Sequence, residues 1–257
     1  MSETFKSQIK DLVDDLKAVF THVGLGGEAA EYKLLTQSFL YKFLNDKFLH
    51  QAKAIDASNS YEKLIDMSEE DYSWLLKFIG TSTAWLKPDQ LIETLHRQQN
   101  EATFYETFEN TLNQIAIDNN DIFSVHTDGD TAIRLFDERL ITDNISDGSK
   151  RNEVAKAIIN LLARVKFDET IFSQGFDFFS TLFEYMIKDY NKDGGGKYAE
   201  YYTPHSVAKI IADILVGNNQ PSNVRIYDPS AGSGTLLMNL ASRIGVDKTT
   251  VYSQDIS

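Results

Sequence analysis

Cysteine is absent from this 257-residue chain, which excludes disulfides, thiolate metal sites and a cysteine nucleophile and fits a reducing compartment. Proline is scarce: Pro88, Pro204, Pro221 and Pro229 are the whole set, and no two are adjacent. No apolar run approaches the ~18–20 residues of a membrane span. The opening Met1-Ser-Glu-Thr-Phe-Lys also lacks the basic-then-apolar layout of a signal peptide. The expectation is a soluble, cytoplasmic protein with no membrane partner. Basic charge is the scarcer sign, with 25 Lys and Arg against 38 Asp and Glu and a formal net charge of −13. Residues 101–150 hold eleven acids against Arg134, Arg139 and Lys150. A DNA-binding surface needs clustered Lys and Arg to displace counterions, and this stretch does not supply them. It reads as a solvated acidic surface, or as a contact for a basic partner subunit. The five histidines, His22, His50, His96, His126 and His205, lack ligand-like spacing, so no metal site is expected. No Gly-x-Ser-x-Gly elbow is present.

What is present is enough apolar residue, 42% with 12% aromatic, to bury a substantial core. From Phe5 through Ile9, Leu12, Val13, Leu16 and Phe20 the apolar residues recur at helical spacing, and Gly24, Gly26 and Gly27 end the run. A second helix is predicted from Glu28 to Phe48, with an aromatic stripe through Tyr32, Phe39, Phe43 and Phe48. Further helices are predicted over Glu69–Ile79 after Ser68, Pro88–Gln99 and Thr103–Ala116. Residues 1–145 therefore read as an all-helical domain, with a boundary in Thr142–Lys150. Residues 146–257 read as a helical bridge followed by the start of an α/β domain. The bridge holds predicted helices at Asn152–Ala163 and Phe176–Asp189 and a glycine-rich loop at Asn191–Lys197. A helix from His205 to Val216, a strand at Val224–Asp228, a helix over Ser233–Ile244 and a strand at Thr249–Gln254 then give the opening β-α-β of a parallel sheet.

The chemistry concentrates in Ile226-Tyr-Asp-Pro-Ser-Ala-Gly-Ser-Gly-Thr-Leu-Leu237, a strand that enters a glycine-bearing turn and then a helix. Gly232 and Gly234 present no Cβ, so backbone N–H groups at the helix start can approach a ligand. A dinucleotide fingerprint wants a third glycine where Leu237 stands, and a Walker loop fails because Gly196-Lys197 is followed by Tyr198. Asp228 at the end of the strand would repel a diphosphate. It suits S-adenosylmethionine, which carries an ammonium, a sulfonium and no phosphate. Asp255 lies 21 residues after Gly234, at the tip of the second strand, where an acid accepts ribose hydroxyls.

The Asp228-Pro-Ser-Ala-Gly-Ser-Gly234 run resembles motif I of amino-group DNA methyltransferases. Ala199-Glu-Tyr-Tyr-Thr-Pro-His205, about 25 residues earlier, resembles the signature of type I restriction-modification modification subunits. Glu31–Phe48 and Phe183–Lys188 resemble the helical segments that precede it there, whereas residues 50–150 match nothing recognised. The resemblance implies an α-helical N-terminal domain, then a Rossmann-like S-adenosylmethionine-dependent methyltransferase domain, and site-specific DNA adenine-N6 methylation. It implies a cofactor site from Glu200, Tyr201, Tyr202, Thr203, Pro204, His205, Asp228, Gly232, Ser233, Gly234, Thr235 and Asp255. Thr203 would meet the methionine carboxylate, while His205 departs from the Arg usual in the family and Thr235 from a frequent Gly. The implied partners are DNA, a specificity subunit and a restriction subunit.

Adenine-N6 methylation in that family uses Asn/Asp-Pro-Pro-Phe/Tyr to hold and stack a flipped base. With no adjacent prolines the tetrapeptide is absent, so no catalytic residue is assigned and the chain is expected to be an N-terminal fragment, inactive alone. The rival readings are a single-chain restriction-methylation or phage-defence methylase, a protein or RNA methyltransferase, and a non-catalytic module that docks a partner.

Overall fold

The computed structural model describes residues 3–81, 83–123, 125–126, 132–167, 172, 203–219, 221–232 and 234–255. The chain divides into two compact units, Met1–Phe172 and Ser173–Ser257.

In the first unit, α1 (Glu3–His22) buries Ile9, Leu12, Val13, Leu16 and Phe20 along one face. It stops because Gly24 takes φ 89°, which lets Leu25 N–H reach Phe20 O and Gly24 N–H reach Thr21 O. Helix α2 (Ala29–Ile55) runs seven residues past its predicted end at Phe48. Its buried residues, among them Leu34, Leu35, Tyr41, Leu44, Phe48 and Ala52, lie on several faces, as expected of a helix packed by α1 and by later helices of the same unit. Helices α3 (Tyr61–Ile65) and α4 (Glu69–Ile79) open where Ser60 and Ser68 hydroxyls accept Lys63 and Asp71 N–H.

The helix predicted over Pro88–Gln99 is interrupted. A 3₁₀ turn at Pro88–Gln90 and α5 (Ile92–Gln98) flank an extended Leu91. The break is stabilised from elsewhere in the core: Asn45 Oδ1 accepts Ile92 N–H at 3.0 Å, and Tyr41 Oη donates to Gln90 O at 2.7 Å. Helix α6 (Phe104–Asp118), a short α7 (Asn120–Phe123) and α8 (Leu140–Asn144) follow. Between α7 and α8, β1 (Val125–His126) pairs antiparallel with β2 (Ala132–Ile133), so the region is not all-helical as expected. Two-residue strands carry no alternation long enough to register in sequence.

Helix α9 (Arg151–Arg164) buries Val154, Ala155, Ile158, Ile159, Leu161 and Leu162 and packs on α1, α5 and α6. Helix α9 thus belongs to the first compact unit, which ends at Phe172.

In the second unit, α10 (His205–Val216), β3 (Val224–Asp228), α11 (Thr235–Ile244) and β4 (Thr249–Ser253) follow the predicted order. The strands are parallel, in register from Val224 opposite Thr249 to Asp228 opposite Ser253. Ile226, Leu237 and Ala241 form the core, with Val224, Ala231, Leu240 and Ile244 packed against it. Helix α10 turns Ala208, Ala212 and Val216 inward and packs on α11. The described chain is thus mostly helical, with one pair of parallel strands. The segments predicted at Phe176–Asp189 and Asn191–Lys197 lie outside the described residues. Among the described residues no helix is long and apolar enough to cross a membrane.

Candidate functional site

Strand β3 delivers Asp228 to the carboxyl end of the sheet, and the chain then turns through Pro229–Gly234 into α11. Hydrogen bonds hold the turn from both sides. Asp228 Oδ1 accepts Ser230 N–H at 2.9 Å, Ala231 N–H donates to Gln254 O at 2.9 Å, and Gly234 N–H donates to Ala231 O at 2.8 Å. Gly232 and Gly234 have φ of 52° and 73°, conformations that L side chains resist. A Cβ on Gly234 would meet no atom within 4 Å, so the backbone there faces open space.

Asp255, just past β4, reaches back so that its Oδ2 accepts Gly232 N–H at 2.6 Å. The two predicted acids therefore bond to the same turn, Asp228 at Ser230 and Asp255 at Gly232. Gln254 ties the strand ends together, donating its N–H to Asp228 O at 3.0 Å and accepting from Tyr227 Oη at 2.8 Å.

The remaining described candidates lie on α10 and α11. Asn239 Nδ2 of α11 lies 3.2 Å from His205 Nδ1 at the start of α10, and Arg243 bonds Asp213 Oδ1 and Gly217 O at its far end, both at 2.8 Å. The two helices must then run parallel, with their amino ends together beside the carboxyl end of β3. Thr203 and Pro204 immediately precede α10, so they reach that same end, with Pro204 O accepting Val207 and Ala208 N–H at 3.0 and 3.1 Å. Thr235, the first residue of α11, is buried. Glu200, Tyr201, Tyr202 and Ser233 lie outside the described residues.

Two helix amino ends favour negative charge through their dipoles, while two carboxylates favour cations and hydroxyls. A ligand with an ammonium and a carboxylate at one part and vicinal hydroxyls at another matches both. Asn239 and Gln254 fasten this arrangement, Arg243 fastens only the far ends of the two helices, and none of the three was read from the sequence. Their partners lie 23 to 34 residues away or across the turn, beyond any local pattern, and only the mid-helix Asn239 carries a signal, because asparagine is a poor helix former. Among the described residues no group of three His, Asp or Glu could hold a metal ion.

Comparison with known proteins agrees with the family resemblance in the sequence. Residues 174–256 match the family described as N-6 DNA Methylase. The Type I restriction enzyme MpnII methylase subunit of Mycoplasma pneumoniae is 25% identical over 266 residues, covering 98% of this chain and 47% of that protein. The Type I restriction enzyme MjaIX methylase subunit of Methanocaldococcus jannaschii is 24% identical over 139 residues, covering 49% of this chain and 24% of its own length. The crystal structure of the type I restriction-modification system methyltransferase subunit from Streptococcus thermophilus superposes with a TM-score of 0.62 at 21% identity, over 100% of this chain and 53% of that one. The fold is shared with that subunit, and the chain spans about half the length of the Mycoplasma relative.

Proposed function

We propose that this chain is part of the modification subunit of a type I restriction-modification enzyme, an S-adenosylmethionine-dependent DNA adenine-N6 methyltransferase, with β3, α11 and β4 opening a Rossmann-like cofactor domain. The observation that carries the reading is one glycine turn engaged by two acids, Asp228 and Asp255, where the amino ends of α10 and α11 meet. A diphosphate would face two carboxylates there. The open space at Gly234 leaves room for a ligand against the backbone, so the residues present fit S-adenosylmethionine.

When bound, S-adenosylmethionine supplies an electrophilic methyl group on sulfur. The residues of this chain bind and orient. Asp228 pairs with the ammonium of the methionine part, since a carboxylate accepts up to about four hydrogen bonds and Ser230 takes one. Asp255 accepts the ribose hydroxyls. Gly232, Ser233, Gly234 and Thr235 bring the backbone of the turn and the start of α11 close to the ligand. Glu200, Tyr201, Tyr202, Thr203, Pro204 and His205 cover the methionine part and exclude water, with Thr203 toward its carboxylate. No residue of this chain is assigned to activate the adenine. DNA, a specificity subunit that selects the sequence and a restriction subunit complete the proposed assembly, which works in the cytoplasm.

Calorimetric titration of the full chain with S-adenosylmethionine tests the reading. Saturable binding is expected, and Asp228→Ala and Asp255→Ala should each weaken it roughly tenfold to a hundredfold, the worth of a hydrogen bond to a charged group. No binding, or binding indifferent to both substitutions in folded protein, removes the proposal.

A further inference from the structure

Asn239 sits inside α11, where asparagine competes with the helix for backbone hydrogen bonds. Its side chain is half-buried and doubly engaged: Nδ2 donates to Thr235 O at 2.8 Å and lies 3.2 Å from the half-buried His205 Nδ1. A backbone carbonyl only accepts, so the amide nitrogen must point toward Thr235, and its second N–H is the one directed at His205. His205 Nδ1 is then the acceptor, and the proton of the neutral ring sits on Nε2.

The place of this bond gives it a role. His205 opens α10 directly after Thr203 and Pro204, and Thr235 opens α11 directly after the glycine turn. We infer that Asn239 is a positioning residue for the cofactor site: its amide clamps the Thr203-Pro204-His205 corner onto the first turn of α11, and it does so through the Nε2–H tautomer of His205. At the opposite ends of the two helices Arg243 makes an independent fastening to Asp213 and Gly217. Loss of Asn239 therefore loosens the end at the site and leaves the far end fastened. A binding-competent arrangement populated less of the time lowers apparent affinity by the same fraction.

The inference rests on the reading of this turn as a methyl-donor site, and the test separates the two. In the full chain, ¹⁵N NMR of the histidine ring nitrogens should show His205 as the Nε2–H tautomer. Asn239→Ala should mix the tautomers and weaken S-adenosylmethionine binding about threefold to tenfold, the worth of one neutral hydrogen bond. Arg243→Ala, which loosens the same helix pair elsewhere, should leave that affinity and the His205 signature unchanged. Asn239→Asp, which presents a carboxylate acceptor, should move the proton to Nδ1. Where Asn239→Ala does not fold, Asn239→Ser stands in, being too short to reach His205. A wild-type His205 protonated on Nδ1, or an Asn239→Ala protein that binds as wild type does, overturns the positioning role alone. A wild-type chain that binds no S-adenosylmethionine overturns the cofactor reading and the positioning role with it.

Discussion

Tyr41 lies fully buried on α2, and its hydroxyl donates to Gln90 O at 2.7 Å, while Tyr72 Oη donates to Leu86 O. Burial, with a smaller contribution from the Asp89 charge, raises both phenols above their usual 10.0. The unfolded chain then ionises first as pH climbs past about 10, so the folded state holds more protons and stability falls with rising pH. Tyr41→Phe should cost about 1–3 kcal/mol at pH 7 by leaving Gln90 O unpaired in the core. It should also flatten the loss of stability above pH 10, and urea unfolding at pH 7 and at alkaline pH measures both. At this scale the sequence gives residue types but few partners. The glycines and acids of the turn were legible because local chemistry dictates them: Gly232 and Gly234 bend the chain, and acids after strands face that bend. Tyr41 and Asn239 were not, because a phenol reaching 49 residues along the chain or an amide reaching 34 back leaves no local pattern.

Among the elements, those with their own start and stop chemistry matched expectation to the residue. Helix α4 begins after Ser68, whose hydroxyl accepts Asp71 N–H at 3.2 Å, and ends at Gly80 with φ 60°. Helix α10 and strand β3 likewise occupy the predicted spans. The interruption at Leu91 was illegible because its cause is Asn45, 47 residues earlier, whose Oδ1 takes the Ile92 N–H. These two devices predict different costs. Ser68→Ala removes an exposed cap and should cost about 1 kcal/mol. Asn45→Ala strips a buried N–H of its acceptor and should cost more, about 1–3 kcal/mol. Chemical denaturation of both variants decides the order, and an equal or smaller loss for Asn45→Ala means that the break in the helix is maintained by something other than this bond.

At the scale of the whole molecule, charge bears on the proposed division of labour. The formal net charge of −13, with eleven acids in residues 101–150, opposes approach to a polyanion, and counterion release cannot compensate where few Lys and Arg cluster. Several of the few bases are already committed: Lys33 to Asp137, Lys87 to Asp118 and Arg243 to Asp213, all within 2.8 Å. This charge agrees with the proposed assembly, in which this chain would hold the methyl donor and a specificity subunit would hold the DNA. This chain alone should therefore bind duplex DNA at physiological salt more weakly than the ~10⁻⁴ M of ordinary non-specific binders, with little dependence of affinity on salt. Fluorescence anisotropy of a labelled duplex across a salt series measures both quantities. Tight binding with a steep salt slope would place a basic groove on this chain and remove the charge argument for a separate DNA-holding partner.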